Sequence, residues 1–480
     1  METLPDGLIA VVKRDCPTCI VVVPELREIA AQAGPFTALS QDDPSFPEGV
    51  AVIDDRELER SYHLKIEIVP TLIRMRGGRE VGRAVGWNKA EWRGLSGIKT
   101  LGENLPENRP GCGAINIEPE HEARLAIRFG DTGLHSRRIT LGPLEDDIEA
   151  CYDRGWSDGL PIVPPTEERV LRMLSGTTRD PREIIGVIPP NLAECSVEKA
   201  AVNAVMAGCK PEYLPVVLAA VEAALIDKFC MHGLLCTTYF SGPMVIVNGP
   251  VRGAIGMNSG GNVLGQGNRA NAAIGRALQL VIRNVGGGKP GGIDKSALGN
   301  PGKYTYCFAE DEEGSDWEPL SVERGFAPGV STVTLFAADG MQGIVDQQSR
   351  EPHSLARSFA GALRVVSHPK LVMAADAFLV VGPEHGRVLR EAGWTKADLK
   401  EELHALLRFP ARELLRGAGG MAEGLPPIPG LEDKVLPKFR PDGLNIVRAG
   451  GGAGMFSAII AGWGASGEMG SQPVTKEVNG

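Results

Sequence analysis

No stretch of the 480 residues is apolar for long enough to cross a bilayer. The first residues, Met1-Glu2-Thr3-Leu4-Pro5-Asp6, are acidic and run straight into an apolar segment, without the basic start of a secretory leader. A cytoplasmic location is therefore expected. An excess of positive charge is missing as well. With 50 Lys and Arg against 60 Asp and Glu, the net charge is −10, which argues against a broad nucleic-acid or anionic-membrane surface. The glycine-rich stretch 258–269 lacks Gly-x-Gly-x-x-Gly spacing, and no Gly-Lys-Ser/Thr follows it, so a nucleotide is weakly supported. The cysteines include one Cys-x-x-Cys and no second pair near it that would complete a zinc site. In a cytosolic chain, nine cysteines suggest redox, metal-binding or buried thiols rather than a disulfide framework.

What is present is globular: 43% hydrophobic and 23% charged residues, in a chain too long for one core. The surest chemistry is Cys16-Pro17-Thr18-Cys19. It follows the strand-like run Leu8-Ile9-Ala10-Val11-Val12 and precedes a helical stretch, Val21 to Ala31. At such a junction the first thiol sits at a helix N-terminus, where partial positive charge favours thiolate. The second lies one turn on, and Pro17 suits a first helical turn.

Three motifs stand in one order: Cys-Pro-x-Cys at 16–19, Val69-Pro70-Thr71 before a strand, and a Gly77-Gly78 hairpin. Residues 7–97 thereby resemble a thioredoxin-like domain. The resemblance implies a cis Pro70 facing the disulfide, Cys16 as the attacking thiol and Cys19 as the resolving one. Two departures stand out. Asp15 occupies the place where that family usually has Trp, and the family's first strand and helix are missing.

Residues 98–145 read as a linker and lead-in. The breaker cluster Asn104-Leu105-Pro106-Glu107-Asn108-Arg109-Pro110-Gly111 supports a flexible tether. Cys112 then reads as a relay thiol or a small residue in a turn.

Residues 146–480 form the larger α/β region, with a subdomain split expected near 325. Four apolar strands, 244–247, 332–336, 377–381 and 444–447, each run into a polar or Gly-rich loop, with helical stretches between them. The expected architecture is an open sheet with parallel elements and its site at the strand ends. Asn248, Asp339, Glu384, His385 and the glycines at 450–454 are the candidates for one rim.

Several stretches could carry chemistry. Cys209, near the start of a helix and beside Lys210, is expected to be acidified, or else to fill a tight turn. Cys230-x-His232-x-x-x-Cys236 could help to hold a soft metal, and His232 alone could serve as a base. Asn258, Ser259, Asn262, Asn268 and Arg269 could bind an anionic group of a substrate through a loop before a helix. Lys303 and Tyr304 precede Cys307, Glu310 and further carboxylates, which could act as bases or ligands or form a solvated edge. Glu384-His385, at a strand end, suits a general base.

Asp158-Gly159-Leu160-Pro161, Val205 to Tyr213, Asn268 to Asn271, Gly302-Lys303-Tyr304, Gly382-Pro383-Glu384-His385 and the 449–457 glycine loop form a second set. Together they resemble a poorly characterised bacterial family associated with (seleno)proteins carrying a UGSC motif, although that motif is absent. The resemblance implies one domain over most of 146–480 and hints at thiol or selenol redox chemistry.

The leading expectation is a thiol-dependent oxidoreductase acting on a small polar substrate. Cys209 reacts, Cys307 resolves, His232 or His385 moves protons, and Cys16–Cys19 recycles the site by disulfide exchange. Such a cycle requires no cofactor and draws electrons from a thiol or a thioredoxin-reductase-type donor. The second expectation is a metal-dependent lyase or hydrolase, with zinc or iron on Cys209, His232, Cys307 and Glu310. The third is a redox-controlled binding protein. No nucleic-acid or membrane partner is expected, and a homo-oligomer is compatible with each reading.

Overall fold

The computed structural model describes residues 6–130, 132–142 and 144–479, apart from the side chains of Ala123 and Met469. The acidic start at Met1–Pro5, on which the absence of a leader was argued, lies outside the described residues. So does Gly480, the last residue of the larger region. The chain forms two compact units, Met1–Gly133 and Leu134–Gly480. Both mix helices with strands, which is the α/β class expected. No helix among the described residues is long and apolar enough to cross a membrane.

In the first unit, Leu8 to Val12 are buried and lie in the central strand β1 (Gly7–Val12). The expected single helix after the cysteine motif is two helices, α1 (Pro17–Val21) and α2 (Val23–Gln32). Pro24 has no N–H to offer the carbonyl of Ile20, so the helix breaks there. Next come β2 (Phe36–Ser40), β3 (Val52–Asp54), α3 (Glu59–His63), β4 (Ile68–Val69), β5 (Thr71–Arg76) and β6 (Arg79–Val85). The five-stranded sheet has the order β3-β2-β1-β5-β6. β2 lies parallel to β1 on one side and β5 antiparallel on the other.

The unit does not end at residue 97. Beyond β7 (Trp87–Asn88) and α4 (Lys89–Ser96) come β8 (Asn108–Arg109), β9 (Cys112–Gly113) and α5 (Pro119–Phe129). β8 pairs with β7, and β9 pairs with β4. Leu101 and Ala114 are buried in the unit's core, and Trp87 Nε1 donates to the carbonyl of Pro106 at 2.8 Å. Residues 98–130 are thus a folded part of the first unit, not a tether. The breaker residues shape turns between short strands whose apolar neighbours find core to bury in.

The second unit opens with α6 (Asp147–Asp153), α7 (Glu167–Leu174), β10 (Ile184–Ile188), β11 (Ala193–Ser196), α8 (Val197–Met206), α9 (Leu214–Ala224) and α10 (Met231–Cys236). Its sheet begins with β12 (Gly242–Asn248). Between sheet strands come α11 (Val251–Ala254), α12 (Arg269–Asn284), β13 (Cys307–Ala309), α13 (Leu320–Glu323), β14 (Thr332–Val345), α14 (Pro352–Arg364), β15 (Ala377–Val381), α15 (Pro383–Glu391) and α16 (Lys396–Leu406). An excursion through β16 (Arg408–Pro410), α17 (Ala411–Leu414) and β17 (Val435–Pro437) leads to β18 (Leu444–Arg448), β19 (Phe456–Gly462) and β20 (Val474–Glu477).

The four expected strands do share one sheet, of order β13-β12-β14-β19-β15-β18, with β20 on β14. It is mixed: β12 and β13 run parallel, as do β15 and β18, but β14 and β19 are antiparallel to their neighbours. Met244, Ile246, Phe378 and Val380, from strands well separated in that order, meet in one core, so the sheet curls. Phe336 and Phe378 meet edge to face inside it, with centroids 4.8 Å apart. Val245 and Val247 face the opposite way, toward α8, α9 and α12. Ala377, Leu379 and Val381 face α14, α15 and α16. Burial on both faces explains why these strands read as unbroken apolar runs. A division near 325 would cut β14 from β12, to which it is hydrogen-bonded along its first half.

Because Leu101 is fully buried, Leu101→Ala should cost the first unit about 2–5 kcal/mol. The measurement is chemical denaturation followed by hydrogen exchange at the β1 amides. A loss within about 0.5 kcal/mol, as for a solvated position, would restore the linker reading.

Candidate functional site

Cys16 is the N-cap residue of α1, in extended conformation, with Pro17 at the first helical position. Its sulfur lies 3.4 Å from the backbone nitrogen of Cys19 and 3.5 Å from the carbonyl oxygen of Val69. The Val69–Pro70 bond is cis. β9 places Cys112 directly opposite Val69 in the β4 ladder. The same segment is tied to α1 by Thr18 Oγ1, which donates to the carbonyl of Pro110 at 2.7 Å. Cys112 stands close enough to Cys16 for each sulfur to affect the protonation of the other. All nine cysteines are free.

These contacts set the protonation of the three sulfurs. The hydrogen bond from the Cys19 thiol is the largest influence on Cys16. With a second bond from Cys112 and the N–H groups of Cys19 and Thr18, it outweighs burial and brings Cys16 down to about 5. Cys19 is pushed far up, first by burial and then by giving its proton to Cys16. Cys112 is raised too, chiefly by the same donation. These influences favour the thiolate at Cys16 and the thiol form at its two neighbours.

The larger unit places its sequence candidates differently. Cys209 does not carry an acidified thiol. It is buried in the turn after α8, and burial pushes it up to about 12 against the opposing charge of Arg269. Lys210 turns outward to Glu212, 3.6 Å away. Cys307, on β13, is raised by burial and then by its proximity to Cys209. The structure thus brings these two sulfurs near each other, but as un-ionised core groups. His232 is exposed. Among the described residues no three His, Cys, Asp or Glu side chains are arranged to hold a metal. Cys209, His232, Cys307 and Glu310 therefore do not form one ligand set. Glu310 is buried and accepts from Asn248 Nδ2 at 2.6 Å and from the backbone of Leu320 at 2.8 Å.

The expected rim is divided. Asn248 lies opposite Thr332, at one end of the β12–β14 ladder, and Asp339 follows Ala338 at the other, because β14 runs antiparallel to β12. His385 is fully buried, and both ring nitrogens are engaged, Nδ1 with Ser457 Oγ at 2.7 Å and Nε2 with the carbonyl of Asp346 at 2.9 Å. Neither is left to act as a base. Glu384 accepts from the backbone of Met455 at 2.6 Å, which pins the glycine loop. Asn258 is tied into its own loop through Gly260 and Gly261, and the carbonyl of Ser259 accepts from Gly450. Asn262 closes its loop on the carbonyl of Gln266, Asn268 caps α12, and Arg269 donates to the carbonyl of Gly208. These candidates hold loops together.

Lys303 and Tyr304 do line a cavity, of about 540 Å³, with Ser241, Arg283, Asp294 and Asn300. Lys303 pairs with Asp294 at 2.7 Å. Arg283 Nε and Asn300 Oδ1 are buried there without a hydrogen-bond partner. Beside it, Asp339 accepts from Ser241 Oγ and from Tyr239 OH, and burial raises its carboxyl to about 6. Arg283 and Ser241 were not among the sequence candidates, since nothing local distinguishes them from ordinary helix and loop residues.

Neither family models nor curated proteins show a match to this chain.

Alkylation of Cys16 by iodoacetamide, followed by peptide mass mapping, should rise with pH about a midpoint near 5. Cys19→Ala removes the largest stabilising bond and should move that midpoint upward. A midpoint between 8 and 9 in the unmodified protein, the ordinary thiol range, would refute the assignment of Cys16 as thiolate.

Proposed function

We propose that the chain is a thiol–disulfide oxidoreductase in which Cys16 is the nucleophile and Cys19 the final resolving thiol. The observation that carries this reading is the divergence of two thiols one helical turn apart. One is held as a thiolate at about 5, and the other is strongly raised. A low-pKa sulfur is present as nucleophile at neutral pH and is also a good leaving group when its disulfide is reduced. The sheet order β3-β2-β1-β5-β6, with the cysteines directly after its central strand, supports a thioredoxin-like reading of the first unit. No cofactor is needed for the exchange, and a thiol or thioredoxin-reductase-type donor in the cytoplasm would return the electrons.

A second reading concerns the larger unit. The cavity at Lys303 and Tyr304, lined also by Ser241, Asp294 and Asn300, would take a small polar substrate. The buried, un-ionised state of Cys209 and Cys307 favours placing the redox chemistry at Cys16 rather than at those thiols.

Reduction of a peptide disulfide by the full chain, with dithiothreitol as donor, should fall to background in Cys16→Ser. It should be unchanged in Cys209→Ser. Full turnover by Cys16→Ser, or its collapse in Cys209→Ser alone, would return the working site to the larger unit.

A further inference from the structure

A two-cysteine exchange leaves the third sulfur unexplained. Cys16 and Cys19 are both 0% exposed, whereas Cys112 is partly exposed. Cys112 sits in β9, directly across from Val69, whose carbonyl oxygen lies 3.5 Å from the Cys16 sulfur. The strand is anchored on both sides, by the β4 ladder and by the Thr18–Pro110 hydrogen bond. An incoming disulfide therefore meets Cys112 first.

We propose that Cys112 is the outer thiol of a three-sulfur relay, which takes an external low-molecular-weight disulfide and passes the linkage inward to Cys16 and then to Cys19. The relay rests on the thiol-exchange reading above and adds its point of entry. In the first step the Cys112 thiol passes its proton to the Cys16 thiolate and attacks the external disulfide R–S–S–R. A Cys112–S–S–R bond forms, and the RS⁻ that leaves takes the proton from Cys16 and departs as RSH. Cys16, again a thiolate, attacks the Cys112 sulfur, forms Cys16–Cys112 and expels the second RS⁻. Cys19 then attacks Cys16, and Cys112 leaves and takes the Cys19 proton. In sum, the Cys16 and Cys19 sulfurs give up two electrons and become a disulfide, and the external disulfide accepts both and departs as one thiol and one thiolate.

The test is a short pulse of oxidised glutathione on the full chain, quenched in acid and read by peptide mass mapping. The earliest adduct should be glutathione on Cys112, followed by the Cys16–Cys19 disulfide. Cys19→Ser should stop at Cys16–Cys112, and Cys16→Ser at glutathionylated Cys112. Cys112→Ser should form Cys16–Cys19 about an order of magnitude more slowly. A first adduct on Cys16 of the unmodified chain, or an unchanged rate in Cys112→Ser, would overturn the relay and leave the exchange chemistry standing. Failure of Cys16 and Cys19 to pair in both the unmodified chain and Cys112→Ser would instead overturn the thiol-exchange reading itself. Because the pulse on the unmodified chain alone distinguishes the order of attack, the test survives a variant that does not fold.

Discussion

Whether a sulfur in this protein can ionise depends on a contest between desolvation and hydrogen bonding. Burial alone raises a thiol, as it does at Cys195, Cys209 and Cys307. Cys16 is closed to solvent but less deeply buried than these, and it is lowered because the neighbouring thiols and the N–H groups of Cys19 and Thr18 favour its charged form. That arrangement requires α1 to start at Cys16 and β9 to bring Cys112. Several elements of the first unit therefore converge on one anion. It is also why residues 98–130 must be folded: without β9 the third donor is missing.

In the larger unit the same principle acts in reverse. Its buried polar groups are mostly paired within the fold and hold the curled sheet in shape. Asp311, after β13, bonds through its backbone N–H to the carbonyl of Arg448 at the end of β18, and so draws together the two outermost strands. His385 ties α15 to Ser457 at the start of β19. Lys396 reaches the carbonyl of Glu318 and stands 3.7 Å from Glu310. Groups so fully engaged are structural ties, and reactivity is better sought where partners are lacking. The unpartnered atoms of Arg283 and Asn300, both in residues lining one cavity, meet that description.

The sequence made part of this legible. The Cys16–Cys19 motif, the strand before it and the apolar strands of the larger sheet are local patterns, and local patterns survive without coordinates. The α/β class followed from the same alternation. What could not be read were the consequences of strand direction. Asn248 and Asp339 each end an apolar run, yet one antiparallel pairing sends them to opposite ends of the ladder. Lys210 and a helix start suggested an acidified Cys209, but burial, which is a tertiary quantity, decided its state. The proline- and asparagine-rich stretch at 104–111 resembled a linker because its turns are visible in sequence and its pairing partners, twenty to forty residues earlier, are not.

Cys19 is raised first by burial and Cys112 chiefly by its interaction with Cys16. Three sulfurs within mutual reach share one negative charge, since ionising a second would place like charges together in a poorly solvated site. Both neighbours are raised partly by the charge on Cys16. In the proposed relay the charge departs with the expelled thiolate, so no intermediate has to hold two anionic sulfurs in that site. Cys112, partly exposed on a strand anchored to β4, is the sulfur from which that thiolate leaves.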